Sequence, residues 1–109
     1  MALEVEKGMT RGTTPTLIFD TPYKKDIVEG GYITFQQEGK VVLDKSVGEE
    51  TVSVEDNMIS VQLSQQETLL FTEYDELRMQ IRLNLKSGKR VASNTIFVPV
   101  FGVLREGEI

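Results

Sequence analysis

From Leu77 to Lys86 the chain alternates without a break between apolar and polar side chains: Leu-Arg-Met-Gln-Ile-Arg-Leu-Asn-Leu-Lys. Successive side chains of a strand point to opposite faces. This period therefore sets Leu77, Met79, Ile81, Leu83 and Leu85 on one surface, and Arg78, Gln80, Arg82, Asn84 and Lys86 on the other. A helix would scatter the same apolar residues around its circumference, so the segment predicts a half-buried strand of an antiparallel sheet. Full burial of each inward residue is worth roughly 1.5–3 kcal/mol, while ordering the backbone costs about 1–2 kcal/mol per residue. One strand cannot stand alone on those terms, and several must share a core.

Shorter alternations predict the partners. Thr13–Asp20 is strand-like, and Pro15 confines it to a strand beginning or a sheet edge because proline donates no ladder hydrogen bond. Thr21–Gly31 contains Pro22 and Gly30-Gly31 and reads as a loop, with Asp26-Ile27-Val28 packing against the end of the domain. Tyr32–Gln37 predicts a strand with Ile33 and Phe35 inward, and Glu38-Gly39-Lys40 a short glycine turn. Val41–Val47 completes that hairpin, with Val41, Leu43 and Val47 on its apolar face and Lys45 interrupting it near an edge. Turns at Gly48-Glu49-Glu50 and Asp56-Asn57 bracket a short strand over Thr51–Val54, and Met58–Leu63 sets Ile59, Val61 and Leu63 on one face. Lys86-Ser87-Gly88-Lys89 predicts a tight turn, and Arg90–Val100 the returning strand. Pro99 predicts a bend or a change of hydrogen-bonding partner at its end, before a last short strand over Phe101–Leu104.

One helical signal interrupts the strands. Ser64-Gln65-Gln66-Glu67 has the form of a capping box, in which serine and glutamate each bond the other's backbone amide. It predicts one or two helical turns running into Thr68-Leu69-Leu70-Phe71. Seven or eight short strands separated by turns, with that single turn of helix, predict an all-β fold: an immunoglobulin-like two-sheet antiparallel β-sandwich, with a small barrel as the alternative. The organisation expected is an N-terminal arm over residues 1–12, one sandwich domain over residues 13–105 and a tail over residues 106–109.

Composition narrows the chemistry. With 109 residues, 39% hydrophobic and 27% charged, the chain is a globular domain that needs no metal or disulfide to hold a core. It has no cysteine and no histidine, which removes thiolate nucleophiles, the ordinary catalytic triad and the commonest zinc ligands. Twelve Lys and Arg are dispersed among seventeen acidic residues for a net charge of −5, so no concentrated positive footprint points to nucleic acid. No apolar run approaches the length of a membrane helix, and the N-terminus lacks the apolar region of a signal peptide. No membrane partner and synthesis in the cytoplasm are expected.

The carboxylate pairs Glu49-Glu50, Glu55-Asp56 and Asp75-Glu76 fall in turns, where adjacent carboxyls are solvated alike instead of being held in two different environments within a cleft. Glu73-Tyr74-Asp75-Glu76 lacks the spacing of a calcium loop, and no glycine-rich run forms a phosphate loop. No catalytic residue, metal ligand or cofactor is expected, and the protein is not expected to be an enzyme. Phe19, Phe35, Phe71, Phe97 and Phe101 occupy strand or strand-end positions and are expected in the core. A carbohydrate- or ligand-binding module is the alternative, and it requires surface aromatics such as Tyr23 or Tyr74 to cluster on a groove. What remains is surface: an unprotected strand edge, the arm, or the polar face of the Leu77–Lys86 strand. Candidate interface residues are Arg11, Pro15, Arg78, Gln80 and Arg82.

Several segments share features with one family. Thr10-Arg11-Gly12-Thr13-Thr14-Pro15-Thr16-Leu17-Ile18-Phe19 resembles the opening of small phage and prophage proteins that include the N-terminal domain of phage baseplate upper proteins. Tyr32-Ile33-Thr34-Phe35-Gln36-Gln37 resembles their hairpin strand, and Ser64-Gln65-Gln66-Glu67-Thr68 their helical turn. Val91-Ala92-Ser93-Asn94-Thr95 and Leu104-Arg105-Glu106-Gly107-Glu108-Ile109 resemble their closing segments. The resemblance spans nearly the whole chain in order. It implies a non-enzymatic structural protein of a phage or prophage tail or baseplate. Such a protein is a virion component made in the bacterial cytoplasm, and its partners are other tail or baseplate proteins or itself.

Overall fold

The computed structural model describes residues 9–103. Arm residues 1–8, Leu104, Arg105 and the expected tail lie outside the described residues. Among the described residues ten strands and one turn of α-helix follow in chain order, with a short 3-10 turn between the second and third strands. They are β1 (Met9–Thr10), β2 (Thr16–Asp20), β3 (Val28–Gln37), β4 (Lys40–Ser46), β5 (Val52–Glu55), β6 (Met58–Gln62), α1 (Gln65–Thr68), β7 (Leu77–Leu85), β8 (Arg90–Ala92), β9 (Ile96–Val98) and β10 (Val100–Phe101).

One sheet has the order β4-β3-β7, with β8 and β9 pairing in turn along the other side of β7; the second has the order β2-β6-β5. All these pairings are antiparallel. The orders match the C′-C-F-G and B-E-D sheets of an immunoglobulin-like sandwich, and the protein is an all-β sandwich of that kind. Beyond Pro99 the chain changes partner, and β10 runs parallel to β1.

The alternation in β7 is realised in full: Leu77, Met79, Ile81, Leu83 and Leu85 are buried while Arg78 and Arg82 are exposed. Ile33 and Phe35 of β3 pair with Ile81 and Met79 and lie on the same inner face. From the other sheet, Leu17, Phe19, Val52, Val54, Ile59, Val61 and Leu63 join them in one hydrophobic cluster. Phe71 closes the top of the core against Phe35, ring centroids 5.6 Å apart. Glu38 and Gly39 both take positive φ, as a two-residue hairpin turn between β3 and β4 requires.

Three expectations shift. Gly30 and Gly31 belong to β3, which begins at Val28 after a short 3-10 turn over Lys25–Ile27, so the predicted loop is shorter. Gly31 is there for space: the Arg82 carbonyl stands where a Cβ would go, with two Leu83 atoms within 3.1 Å of that point. Val41 is exposed and off the apolar face, because the β3–β4 register shifts between Phe35 and Gln36. Leu43 then pairs with Phe35 and Lys45 with Ile33, so Lys45 points inward and is buried. The returning strand is split into β8, β9 and β10. Ser93 breaks it by accepting the Ile81 amide on its Oγ at 2.9 Å, in place of a backbone carbonyl.

The capping box is formed: Ser64 Oγ accepts from Glu67 N, and Glu67 Oε1 accepts from Ser64 N at 2.8 Å. The same carboxylate receives the buried Lys45 Nζ at 3.0 and 2.8 Å, tying β4 to α1. Partial burial pushes the Glu67 carboxyl up, but the Lys45 hydrogen bond, the Ser64 amide and the Lys45 charge outweigh it and hold the pKa below its usual 4.5. A depressed carboxyl stabilises the fold fully above its unfolded value, and that contribution is lost as pH falls through the folded value.

Two outcomes follow for stability. Gly31→Ala lowers it by about 1–3 kcal/mol through the backbone clash, whereas Gly30→Ala, with open space at its Cβ, is neutral or raises it by up to about 1 kcal/mol. Urea denaturation of the two variants separates them. Glu67→Gln at neutral pH costs about 1.5–3 kcal/mol by leaving the buried ammonium without its counter-charge, and Lys45→Met costs less, about 0.5–1.5 kcal/mol, because the remaining Glu67 carboxylate is partly solvated and keeps its Ser64 amide bond. Denaturation from pH 7 down to pH 3.5 shows the wild-type advantage over Glu67→Gln shrinking below about pH 4.5.

Candidate interaction surface

The outward side chains of β4, β3, β7, β8 and β9 line up in rows across the sheet. Ser46, Tyr32, Arg82 and Ala92 form one row; Asp44, Thr34 and Gln80 the next; Val41, Gln36, Arg78 and Phe97 the third. Opposed side chains on one face of antiparallel strands lie within contact reach, so each row is a set of neighbours. Thr34 Oγ1 donates to Asp44 at 2.7 Å, and Gln80 Nε2 donates to the Ser93 carbonyl at 2.9 Å. The Arg78 guanidinium sits 5.6 Å from the centroid of the Phe97 ring while its Nε donates to Glu76 at 2.9 Å. Both ends of that ion pair are more than half exposed, which limits its worth to at most about 1 kcal/mol.

The face is not only polar. Tyr32 (44% exposed), Val41 (59%) and Phe97 (55%) stand on it among the arginines. Phe97 and Phe101 were expected in the core together with Phe19, Phe35 and Phe71, which are indeed buried. Pairing with β7 decides the matter. Met79 opposite Ile96 and Leu77 opposite Val98 put those two strand residues inward, and Phe97 opposite Arg78 outward. Val100 continues the inward set, and Phe101 stays at the surface.

Phe97 also marks a corner. Past it, Tyr74, Phe97, Pro99 and Phe101 line a depression of about 300 Å³, with Asp75 and Glu76 at its rim. Tyr74 is 77% exposed and Phe101 47%. Tyr74 thus clusters with other aromatics, while Tyr23 packs half-buried against the core. Sequence reasoning missed this surface, although the readable signal was there in the alternation Ile96-Phe97-Val98 once its phase is tied to β7.

Of the five residues expected at an interface, Arg78, Gln80 and Arg82 share this face. Arg11 and Pro15 do not join them. Arg11 donates from Nε to the Phe71 carbonyl at 2.7 Å and from Nη2 to the Leu69 carbonyl at 3.1 Å, so it ties β1 to the segment after α1. Pro15 immediately precedes β2 of the other sheet, and its carbonyl accepts from Leu63 N. A larger hollow of about 800 Å³ lies at the opposite end of the sandwich, where Val28, Val47 and Val52 meet Lys24, Lys25 and Lys86. Among the described residues no group of three or more His, Cys, Asp or Glu is placed to hold a metal ion. Comparison with known proteins finds no matching family model and no matching curated protein.

The geometry separates a structural arginine from a surface one. Arg11→Ala costs about 1.5–3 kcal/mol by removing hydrogen bonds from a charged donor to part-buried carbonyls, and Arg11→Lys restores less than half. Arg82→Ala changes stability by no more than about 0.5 kcal/mol. Thermal and urea unfolding of the three variants tests the ranking.

Proposed function

We propose that the protein is a non-enzymatic structural module of a phage or prophage tail or baseplate, which assembles with other tail proteins or with itself through the outer face of its larger sheet. The observation that carries this reading is the composition of that face. Tyr32, Val41 and Phe97 stand exposed among Arg78 and Arg82, and aromatic and arginine side chains are the types enriched where proteins bind one another. The resemblance of the opening, hairpin, capping-box and closing segments to phage baseplate proteins supplies the setting. A component of that kind works as part of a virion.

The sheet edges are poor assembly surfaces. β5 has only four residues and β2 five, the latter entered from Pro15. β4 carries a register shift and the inward Lys45, and Ser93 interrupts the β8–β9 edge. Bulges, short strands, proline and inward charge are the devices that blunt strand addition. Met9 and Thr10, the end of the expected arm, are already paired with β10. Association therefore runs through side chains on the face.

Size-exclusion chromatography with light scattering, on the chain alone and with the products of neighbouring genes, tests this. The expected result is a self-assembly or a complex with a tail protein that Tyr32→Ala/Arg82→Glu weakens by about tenfold or more while leaving the fold intact. A chain that stays monomeric, forms no such complex and is encoded far from tail genes would overturn it.

A further inference from the structure

The depression around Tyr74 is built differently from the flat face beside it. Tyr74 holds a positive φ of 57°, and its amide donates to the Val100 carbonyl at 2.7 Å. A non-glycine residue in that conformation carries about 1–2 kcal/mol of strain, which the surroundings must hold in place. Gly102 lies close by: a Cβ there would run into the Glu73 carboxylate and would be in ordinary contact with the Tyr74 ring at 3.5 Å. Among the described residues the most exposed of the large apolar side chains thus stands on a constrained backbone and lines the hollow together with Phe97, Pro99 and Phe101.

Part of the backbone beneath it is already closed to a β-strand. The Pro99 carbonyl accepts from Met9 N, the Val100 carbonyl from Tyr74 N and the Phe101 carbonyl from Arg11 N, and Pro99 has no amide to give. An extended segment bound here must be held by side-chain packing. The polyproline II helix meets that condition, because it keeps its own backbone solvated and presents stiff apolar rings that dock in aromatic-lined grooves. Asp75 and Glu76 also line it, and the Arg78 ion pair offsets only one of the two carboxylates, so a cationic residue flanking the prolines is complementary to it. A saccharide fits less well: apart from Asp75 and Glu76 the lining is apolar or aromatic, which leaves few convergent polar groups for hydroxyls. The chain's own three prolines are isolated from one another, so a second copy does not supply such a segment.

We infer that the Tyr74–Phe97–Phe101 depression binds a proline-rich, basic-flanked extended segment of another protein. This rests on the assembly reading only for the setting in which the segment is met, since the binding itself is measured on this chain alone.

The probe is a synthetic peptide, Arg-Pro-Pro-Leu-Pro-Pro, capped at both ends and titrated into isotopically labelled protein with amide shifts as the readout. Saturable shifts confined to residues 73–76 and 96–102, with a Kd between about 10 μM and 1 mM, are expected. Tyr74→Gly suits the positive φ and removes the ring, so it weakens binding by about tenfold or more without loss of thermal stability. Glu76→Lys weakens the Arg peptide and leaves a Gln-substituted peptide unaffected. No saturable shift up to about 5 mM peptide would overturn the inference, as would unchanged affinity in Tyr74→Gly. So would shifts at these amides from chitotriose and not from the peptide. None of these results bears on Tyr32 and Arg82, which test the assembly face separately.

Discussion

In the larger sheet β3, β8 and β9 take their places directly from β7, and β4 takes its place through β3. β7 pairs with β3 along one side from Arg78 to Leu85, and with β8 and β9 along the other. Its alternation fixes two surfaces at once: the buried Leu77, Met79, Ile81, Leu83 and Leu85, and the outward Arg78, Gln80 and Arg82. A slip of one residue would exchange those sets, placing charge in the core and aliphatic side chains in water, so the register has no near-degenerate competitor. Core and candidate interface are two readings of one pattern. That dependence also explains why Phe97 is exposed, since its position opposite Arg78 is set by β7 and not by its own apolar character.

Strong local patterns carried most of the architecture. The β7 alternation, Ile33 with Phe35, Ile59 with Val61 and Leu63, the turns at Glu38-Gly39 and Gly88, and the capping box at Ser64 and Glu67 all lie as the residues alone suggest. In each case the determinant is within a few residues of the feature it determines. What escaped a sequence reading depends on contacts between distant segments. Gly31 looks like a loop glycine until the Arg82 carbonyl is seen to occupy the space of its missing side chain. Lys45 looks like an interruption until the β3–β4 register shift turns it inward toward Glu67, twenty-two residues on. Ser93 ends a strand through the Ile81 amide, twelve residues back. Of the candidate interface, the arginines of β7 were legible directly, and Phe97 only once the phase of Ile96-Phe97-Val98 is tied to β7.

The polar side chains that do enter the interior act as ties. Thr68 Oγ1 accepts from Gly12 N and donates to the Thr13 carbonyl, which holds the chain after β1 against α1. Gln37 donates to the Thr72 carbonyl and accepts from the Thr72 amide, which holds the segment after α1 against the end of β3. Among the described residues no buried side-chain nitrogen or oxygen is left without a partner. Such groups specify how loops close onto the sandwich, because leaving any one unmatched costs about 1–3 kcal/mol. The Gln37 tie anchors the start of the loop that bears Tyr74, and the Tyr74 amide then bonds the Val100 carbonyl next to Phe101.

That distribution bears on how such a domain associates. Its edges are short, interrupted or guarded by an inward lysine, and the carbonyls of Pro99, Val100 and Phe101 are already occupied from within the chain. A protein that joined others by strand addition would need the opposite: a long edge with open backbone groups. Here much of the apolar area left at the surface, Ile27, Leu70 and Tyr74 apart, consists of side chains carried by strands whose neighbouring residues are buried. Phe97 stands between Ile96 and Val98, and Tyr32 next to Ile33. Rigid presentation of a few aromatic and arginine side chains lowers the entropy lost when a partner arrives, because their backbones are already fixed by the sheet. The same sheet that makes the core thus presents the proposed contact surface, and the specificity of a contact made there would be written in the outward half of the alternation.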